Sequence, residues 1–159
     1  MSRRLVILRH AAAQYCLNSA DHVRGLTDEG RIQARAAGAQ LAQAGLVPDH
    51  VICSTALRAR QTLELVLSQL PREPTIDYAE SAYSANVDTI FELINAVDPE
   101  VETLLVVGHN PTMAQLAAVF VEDGGFISFS PASIAVATLE VDWLYAAPGT
   151  GTGRLFSGQ

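Results

Sequence analysis

The pattern of apolar and polar positions divides the chain into alternating short runs and longer periodic stretches. Leu5-Val6-Ile7-Leu8 is four apolar residues in a row, a short strand buried on both faces, and it stops at once on Arg9 and His10. The same kind of run recurs at Val51-Ile52-Cys53, ahead of Ser54 and Thr55, and at Thr103-Leu104-Leu105-Val106-Val107, ahead of Gly108-His109-Asn110-Pro111. A weaker strand is expected over 75–78 and a last one over 133–141. Between these runs the spacing becomes helical. Ile32, Ala36, Leu41 and Ala44 mark a helix from 28 to about 44, capped by Thr27, with Asp28 and Glu29 in its positive first turn and Gly45 stopping it. Leu63, Val66, Leu67 and Leu70 share a face after a cap at Ser54 or Thr55, with Pro71 beyond. Ile90, Leu93, Ile94 and Val97 predict a third helix, closed by Asp98-Pro99. Met113, Leu116, Ala117 and Phe120 predict a fourth, with Asn110 as N-cap and Pro111 at the first helical position. Asp123-Gly124-Gly125 breaks the chain, and the glycine-rich tail from about 148 is expected to be loosely held.

Strands alternating with helices predict a three-layer α/β/α sandwich around a mostly parallel sheet. No repeat, linker or composition shift separates a second unit, so residues 1–159 are expected to form one domain. In a parallel sheet the carboxyl ends of the strands share an edge, where such folds bind ligands. That edge would gather Arg9 and His10 after the first strand, Arg58 just beyond the second, and His109 after the third. Imidazoles and guanidiniums converging without a matching carboxylate cluster need an anion between them. A phosphoryl group, with charge on three oxygens, meets that need. His10 is the candidate nucleophile or base and Arg9 the candidate anion holder.

Composition narrows the choice. The formal net charge of −7 argues against a nucleic-acid partner. All ten basic residues are arginine, the side chain suited to planar, bidentate anion recognition. Cys16 and Cys53 form neither a disulfide framework nor a CxxC site, and Cys53 reads as a small buried hydrophobe. The sequence shows no leader and no apolar run of membrane-spanning length, so a cytoplasmic protein without a membrane partner is expected. No HxxxH, DxD or paired-cysteine spacing offers a metal site, and no GxGxxG or GxxxxGK[ST] loop offers a nucleotide site; neither metal nor cofactor is expected.

The motifs then carry a resemblance. Leu8-Arg9-His10 resembles the Arg-His-Gly signature of the histidine phosphatase superfamily, the phosphoglycerate-mutase-like proteins, with Ala11 in place of the usual glycine. Ser54-Thr55-Ala56-Leu57-Arg58-Ala59-Arg60-Gln61-Thr62 resembles the second motif of that family, S-x-x-x-R-A-x-Q-T, and Gly108-His109-Asn110 its third. Arg24-Gly25-Leu26-Thr27 with Gly30 is similar to the R-x-L-T-x-x-G opening of its first helix, and Glu80-Ser81-Ala82-Tyr83 to an E-x-L-Y stretch. The length leaves little room for segments that would roof the pocket, and the chain is most similar to the compact SixA-type phosphohistidine phosphatases. The resemblance implies a cofactor-independent phosphatase with His10 as nucleophile and Arg9 and Arg58 as phosphate clamps. It implies His109 as a phosphate ligand and proton donor, Arg24 as a further ligand or a solvated loop residue, and Glu80 as a general acid or a loop anchor. The substrate implied is a phosphorylated protein, with a histidine phosphotransfer domain as one candidate. Its rivals are a small-molecule phosphomonoesterase or mutase of the same superfamily, a non-catalytic phosphoprotein-binding module and a plain nucleotide-binding domain. Ser54 is expected as a cap; Arg31, Arg35 and Arg60 as exposed helix charges; His22 and His50 as surface residues; Trp143 and Tyr145 as packing residues. The alanine at position 11 is harmless unless its backbone needs positive φ.

Overall fold

The computed structural model describes residues 2–15, 20–121 and 128–156. The chain runs β1 (Arg3–Arg9), α1 (Asp28–Gln43), β2 (His50–Ser54), α2 (Leu57–Leu67), β3 (Thr75–Ala79), α3 (Val87–Asn95), β4 (Thr103–Gly108), α4 (Thr112–Phe120), β5 (Ile134–Leu139) and β6 (Gly151–Phe156). The sheet order is β3-β2-β4-β1-β5-β6. β3, β2, β4 and β1 run parallel, while β5 and β6 pair antiparallel at the far side. The architecture is the α/β sandwich with the mostly parallel sheet that the run pattern predicts.

Burial on both faces explains the continuous apolar strands. Leu5 and Ile7 pack with Leu104, Val106 and Trp143 in the core shared with α3 and α4. Val6 and Leu8 pack with Leu105, Val107, Leu41 and Leu63 in the core shared with α1 and α2. Each such side chain contributes about 1.5–3 kcal/mol relative to exposure.

Four elements depart from the pattern. The buried stripe of α1 is Gly30, Ala34, Ala37, Gly38 and Leu41, not the phase set by Ile32 and Ala36; Ile32 is 66% exposed. The reason is close approach: a Cβ built at Gly38 would lie 2.5 Å from the Val66 carbonyl oxygen of α2, and one at Gly30 would lie 2.0 Å from the Ala12 carbonyl oxygen. Small residues line the contact, so the face that carries Ile32 is turned outward. The tail from about 148 is not loose as far as it is described, because Gly151–Phe156 forms β6 along β5, where Phe156 and Gly153 reach the core and the backbone. Helix α2 ends at Leu67, so Leu70 packs on the core from beyond it. The turn at Asp123-Gly124-Gly125 and Cys16 lie outside the described residues. Thr27 caps α1 by accepting from the Gly30 N–H, as its position predicts. Helix α4 starts one residue later than expected, with Pro111 as its N-cap residue, and the Asn110 Oδ1 accepts from the Ala114 N–H. Trp143 is fully buried with its Nε1–H donating to the Val101 carbonyl, whereas Tyr145 is exposed instead of packed.

Candidate active site

The strands β2, β4 and β1 are neighbours, and their carboxyl ends lie along one edge of the sheet. His10 therefore leaves β1 beside the end of β4, where its N–H donates to the Gly108 carbonyl at 2.9 Å. His109 leaves β4, Ser54 ends β2, and Arg58 sits in the first turn of α2. The rings of His10 and His109 lie 5.1 Å apart, centroid to centroid. Between these residues is a cavity of about 390 Å³ lined by Arg9, His10, Ala12, Ala13, Arg24, Arg58, His109, Asn110 and Pro131. The edge-gathering that the sequence predicts for Arg9, His10, Arg58 and His109 is what the fold produces.

The His10 ring is nearly buried, and its Nδ1 lies 2.7 Å from the Ala11 carbonyl oxygen. A carbonyl can only accept, so Nδ1 carries the proton and Nε2 keeps its lone pair. Burial pushes the His10 pKa down to about 4; the carbonyl contact opposes this, and the positive charges of Arg58, Arg9 and Arg24 add to it. His109 Nε2 lies 2.7 Å from Ser54 Oγ. Ser54 Oγ also accepts from the Ala56 N–H, and its hydroxyl can donate to Nε2 or accept from it through its second lone pair, so both neutral tautomers of His109 fit this contact. The His109 Nδ1 is buried and unpartnered. Burial, with the charges of His10 and Arg58 behind it, lowers His109 to about 3.

The arginines are held from outside the cavity. Arg9 Nη1 donates to the Phe129 carbonyl at 3.1 Å. Arg58 donates through Nη1 to the Asp21 carbonyl at 2.8 Å and through Nη2 to Asp21 Oδ2 at 3.0 Å. The Nε–H of each is buried without a partner. Buried donors of this kind cost free energy unless a ligand accepts from them. The site thus gathers an imidazole lone pair, two buried and unpartnered guanidinium N–H groups, and the unpartnered His109 Nδ1.

The family model of the histidine phosphatase superfamily (branch 1) matches residues 5–83. A structure from Nakamurella multipartitia assigned as the phosphohistidine phosphatase SixA superposes with a TM-score of 0.86 at 32% identity, over 98% of this chain and 95% of that one. The chain belongs to the histidine phosphatase superfamily, in its SixA-type branch. The protein histidine phosphatase SixA complexed with tungstate is 26% identical with a TM-score of 0.77, over 97% of this chain and 94% of that chain. An uncharacterized protein of Mycobacterium tuberculosis is 38% identical over 151 residues, 89% of this chain and 93% of the relative.

Within this SixA-type fold the remaining candidates separate. Arg24 lines the cavity, but its Nε and Nη2 donate to Asp21 Oδ1 and its Nη1 to the Gln14 carbonyl. Glu80 is exposed at the start of a short turn after β3 and is not among the described residues lining the cavity. The same turn sends Tyr83, three residues on, to the site instead, with its ring against His109. Ser54 does not cap α2 from the N-cap position, which is Ala56, but supports His109. His22 is not a free surface residue: its Nε2 lies 2.9 Å from Thr55 Oγ1 and its ring meets Tyr83 edge-on. His50 Nδ1 lies 2.6 Å from Thr75 Oγ1. Ala11 is fully buried, and it is not among the described residues with positive φ, which explains how alanine stands in for glycine there.

Sequence reasoning missed four supports. Thr62 Oγ1 accepts from the Ala11 N–H at 3.0 Å and donates to the Arg58 carbonyl at 2.7 Å, joining α2 to the end of β1. Ala132, at φ 64°, donates its N–H to the Arg9 and His10 carbonyls. Tyr83 donates its hydroxyl to Asp21 Oδ2 and sets its ring edge-on to His109. Asp21 is the fourth; its only signal in the sequence is a carboxylate three residues before Arg24. A larger cavity of about 540 Å³ opens at the amino-terminal ends of β2 and β3, but Asp77, Asp98 and Glu100 make it hostile to a phosphoryl group.

Proposed function

We propose that this phosphatase removes the phosphoryl group from phosphohistidine carried on a protein, through a covalent phosphohistidine at His10. The observation that supports it most is the Nδ1 contact of His10 with the Ala11 carbonyl, which leaves Nε2 unprotonated in a residue that lines the arginine-bearing cavity. In the first step Nε2 attacks phosphorus and the N–P bond of the substrate breaks. The electron pair goes to the departing imidazole, which takes up a proton. In the second step water attacks phosphorus, the Nε2–P bond breaks with its pair returning to His10, and inorganic phosphate leaves. Arg9, Arg58 and His109 hold the phosphoryl oxygens, and Arg24 contributes charge at the rim. The N–P bond of phosphohistidine needs less acid assistance than an alkyl ester, which fits the exposed position of Glu80. The SixA-type relatives supply the phosphoprotein as substrate class, and the bound tungstate in one of them is an oxyanion of the same shape as phosphate.

The test is a substrate panel: a phosphohistidine peptide and phosphoprotein against para-nitrophenyl phosphate and sugar phosphates, with and without EDTA. Turnover should favour phosphohistidine, survive chelation and vanish in His10→Ala, and an acid-labile, alkali-stable label should map to His10. Label on serine, cysteine or aspartate, or preference for a sugar phosphate, overturns the reading.

A further inference from the structure

We propose that Asp21 is a positioning residue for the phosphoryl site, holding Arg58 and Arg24 in the geometry that receives the phosphoryl group. This rests on reading the cavity as that site. Asp21 lies in a short turn (Asp21–Val23) of the loop between β1 and α1, opposite the first turn of α2. Its backbone carbonyl and its Oδ2 take the two ends of the Arg58 fork, at 2.8 and 3.0 Å. Its Oδ1 takes Nε and Nη2 of Arg24, at 3.1 and 2.8 Å. The Tyr83 hydroxyl donates to Oδ2 as well. A carboxylate offers about four acceptor positions, and here all of them face donors of the site.

Two consequences follow from that arrangement. Both ends of the Arg58 fork are fixed by Asp21, so the guanidinium is held in one orientation beside the cavity that Arg58 lines. The carboxylate also cancels one of the three guanidinium charges of Arg9, Arg24 and Arg58, leaving a balance that matches a doubly charged phosphoryl group. Held by Tyr83, Arg24 and Arg58, Asp21 stays ionised far below neutral pH and has no proton to give a leaving group. Half of its side chain is exposed, so solvent weakens the ion pairs, and the geometry matters more than their strength.

The opposite reading makes Asp21 a plug that competes with the phosphoryl group for Arg58. The two predict opposite signs for Asp21→Ala. Competitive inhibition by tungstate and the KM and kcat of the full chain are measured for the wild type, Asp21→Ala, Asp21→Glu, Tyr83→Phe and Arg58→Ala, with thermal melting alongside. Positioning predicts that Asp21→Ala raises the tungstate inhibition constant and KM roughly tenfold, the scale of one charge-assisted hydrogen bond, without a matching loss of melting temperature. Asp21→Glu should recover part, and Tyr83→Phe should show a smaller loss in the same direction. Tungstate binding as tight as in the wild type, or tighter, overturns the proposal, as does a loss confined to melting temperature. If Asp21→Ala does not fold, Asp21→Asn decides by the same outcomes. Arg58→Ala separates the two levels: if it too leaves tungstate inhibition unchanged, the phosphoryl reading of the cavity fails; if only Asp21→Ala leaves it unchanged, this inference alone fails.

Discussion

At the scale of the residue, the site is a set of nitrogen atoms whose protons are assigned by their neighbours. His10 owes its free lone pair to a carbonyl one residue away. Arg58 is the side chain on which the rest of the anion site turns, since it is buried and its Nε–H has no partner. Arg58→Ala is expected to weaken binding of inorganic phosphate by about 1.5–3 kcal/mol, the range for a hydrogen bond to a charged group. Arg58→Lys should recover only part, because a point charge cannot reproduce the fork that Asp21 holds. Isothermal titration with phosphate checks both; equal affinity in the lysine variant would show that charge alone suffices. Arg9, His10, Arg58 and His109 were legible because they stand at or just beyond the ends of apolar strands, a position that topology converts directly into proximity. Asp21, Tyr83 and Thr62 were not, because each also reaches a partner at least 37 residues away, and no local pattern encodes that pairing.

At the scale of the element, the site depends on how closely α1 and α2 approach the loop after β1. Gly30 allows the first turn of α1 to pass against the Ala12 backbone, and any Cβ there would meet that carbonyl. Gly30→Ala should therefore cost about 1–3 kcal/mol, the range for forced backbone shifts in a packed interior, outweighing the helix propensity that alanine adds. Thermal or urea unfolding measures it; an unchanged midpoint would mean that the loop yields freely. The same close packing is why the phase of α1 was hidden in the sequence. Its buried face is glycine and alanine, residues that carry almost no apolar signal, while exposed Ile32 carries a strong one. β6 was hidden for a related reason: Gly-Thr-Gly-Arg-Leu-Phe pairs through its backbone at the sheet's edge and shows no apolar run. β1, β2 and β4 were plain because both their faces are buried.

At the scale of the whole molecule, two imidazoles are kept neutral inside a positively charged site. An ordinary histidine titrates near 6.5, whereas His10 is held down to about 4 and His109 to about 3. Between those values the unfolded chain binds protons that the folded one refuses, so stability should fall as pH drops from about 6.5 towards 4. Each such proton contributes up to about 1.4 kcal/mol per pH unit, and His109→Gln should flatten the slope. Urea midpoints from pH 7 to 4.5 test this; a flat profile would show that the rings titrate normally. The sheet order carries a further consequence for how the molecule comes into being. The strand that leads into His10, β1, has β4 and β5 as its neighbours, and both are encoded roughly a hundred residues or more downstream. A growing chain that has emerged only as far as residue 83, the stretch carrying the family signature, has β2 and β3 to pair with each other but no partner for β1. His10 is therefore synthesised well before the strands that surround it, so a fragment ending at residue 83 carries the signature without the completed site.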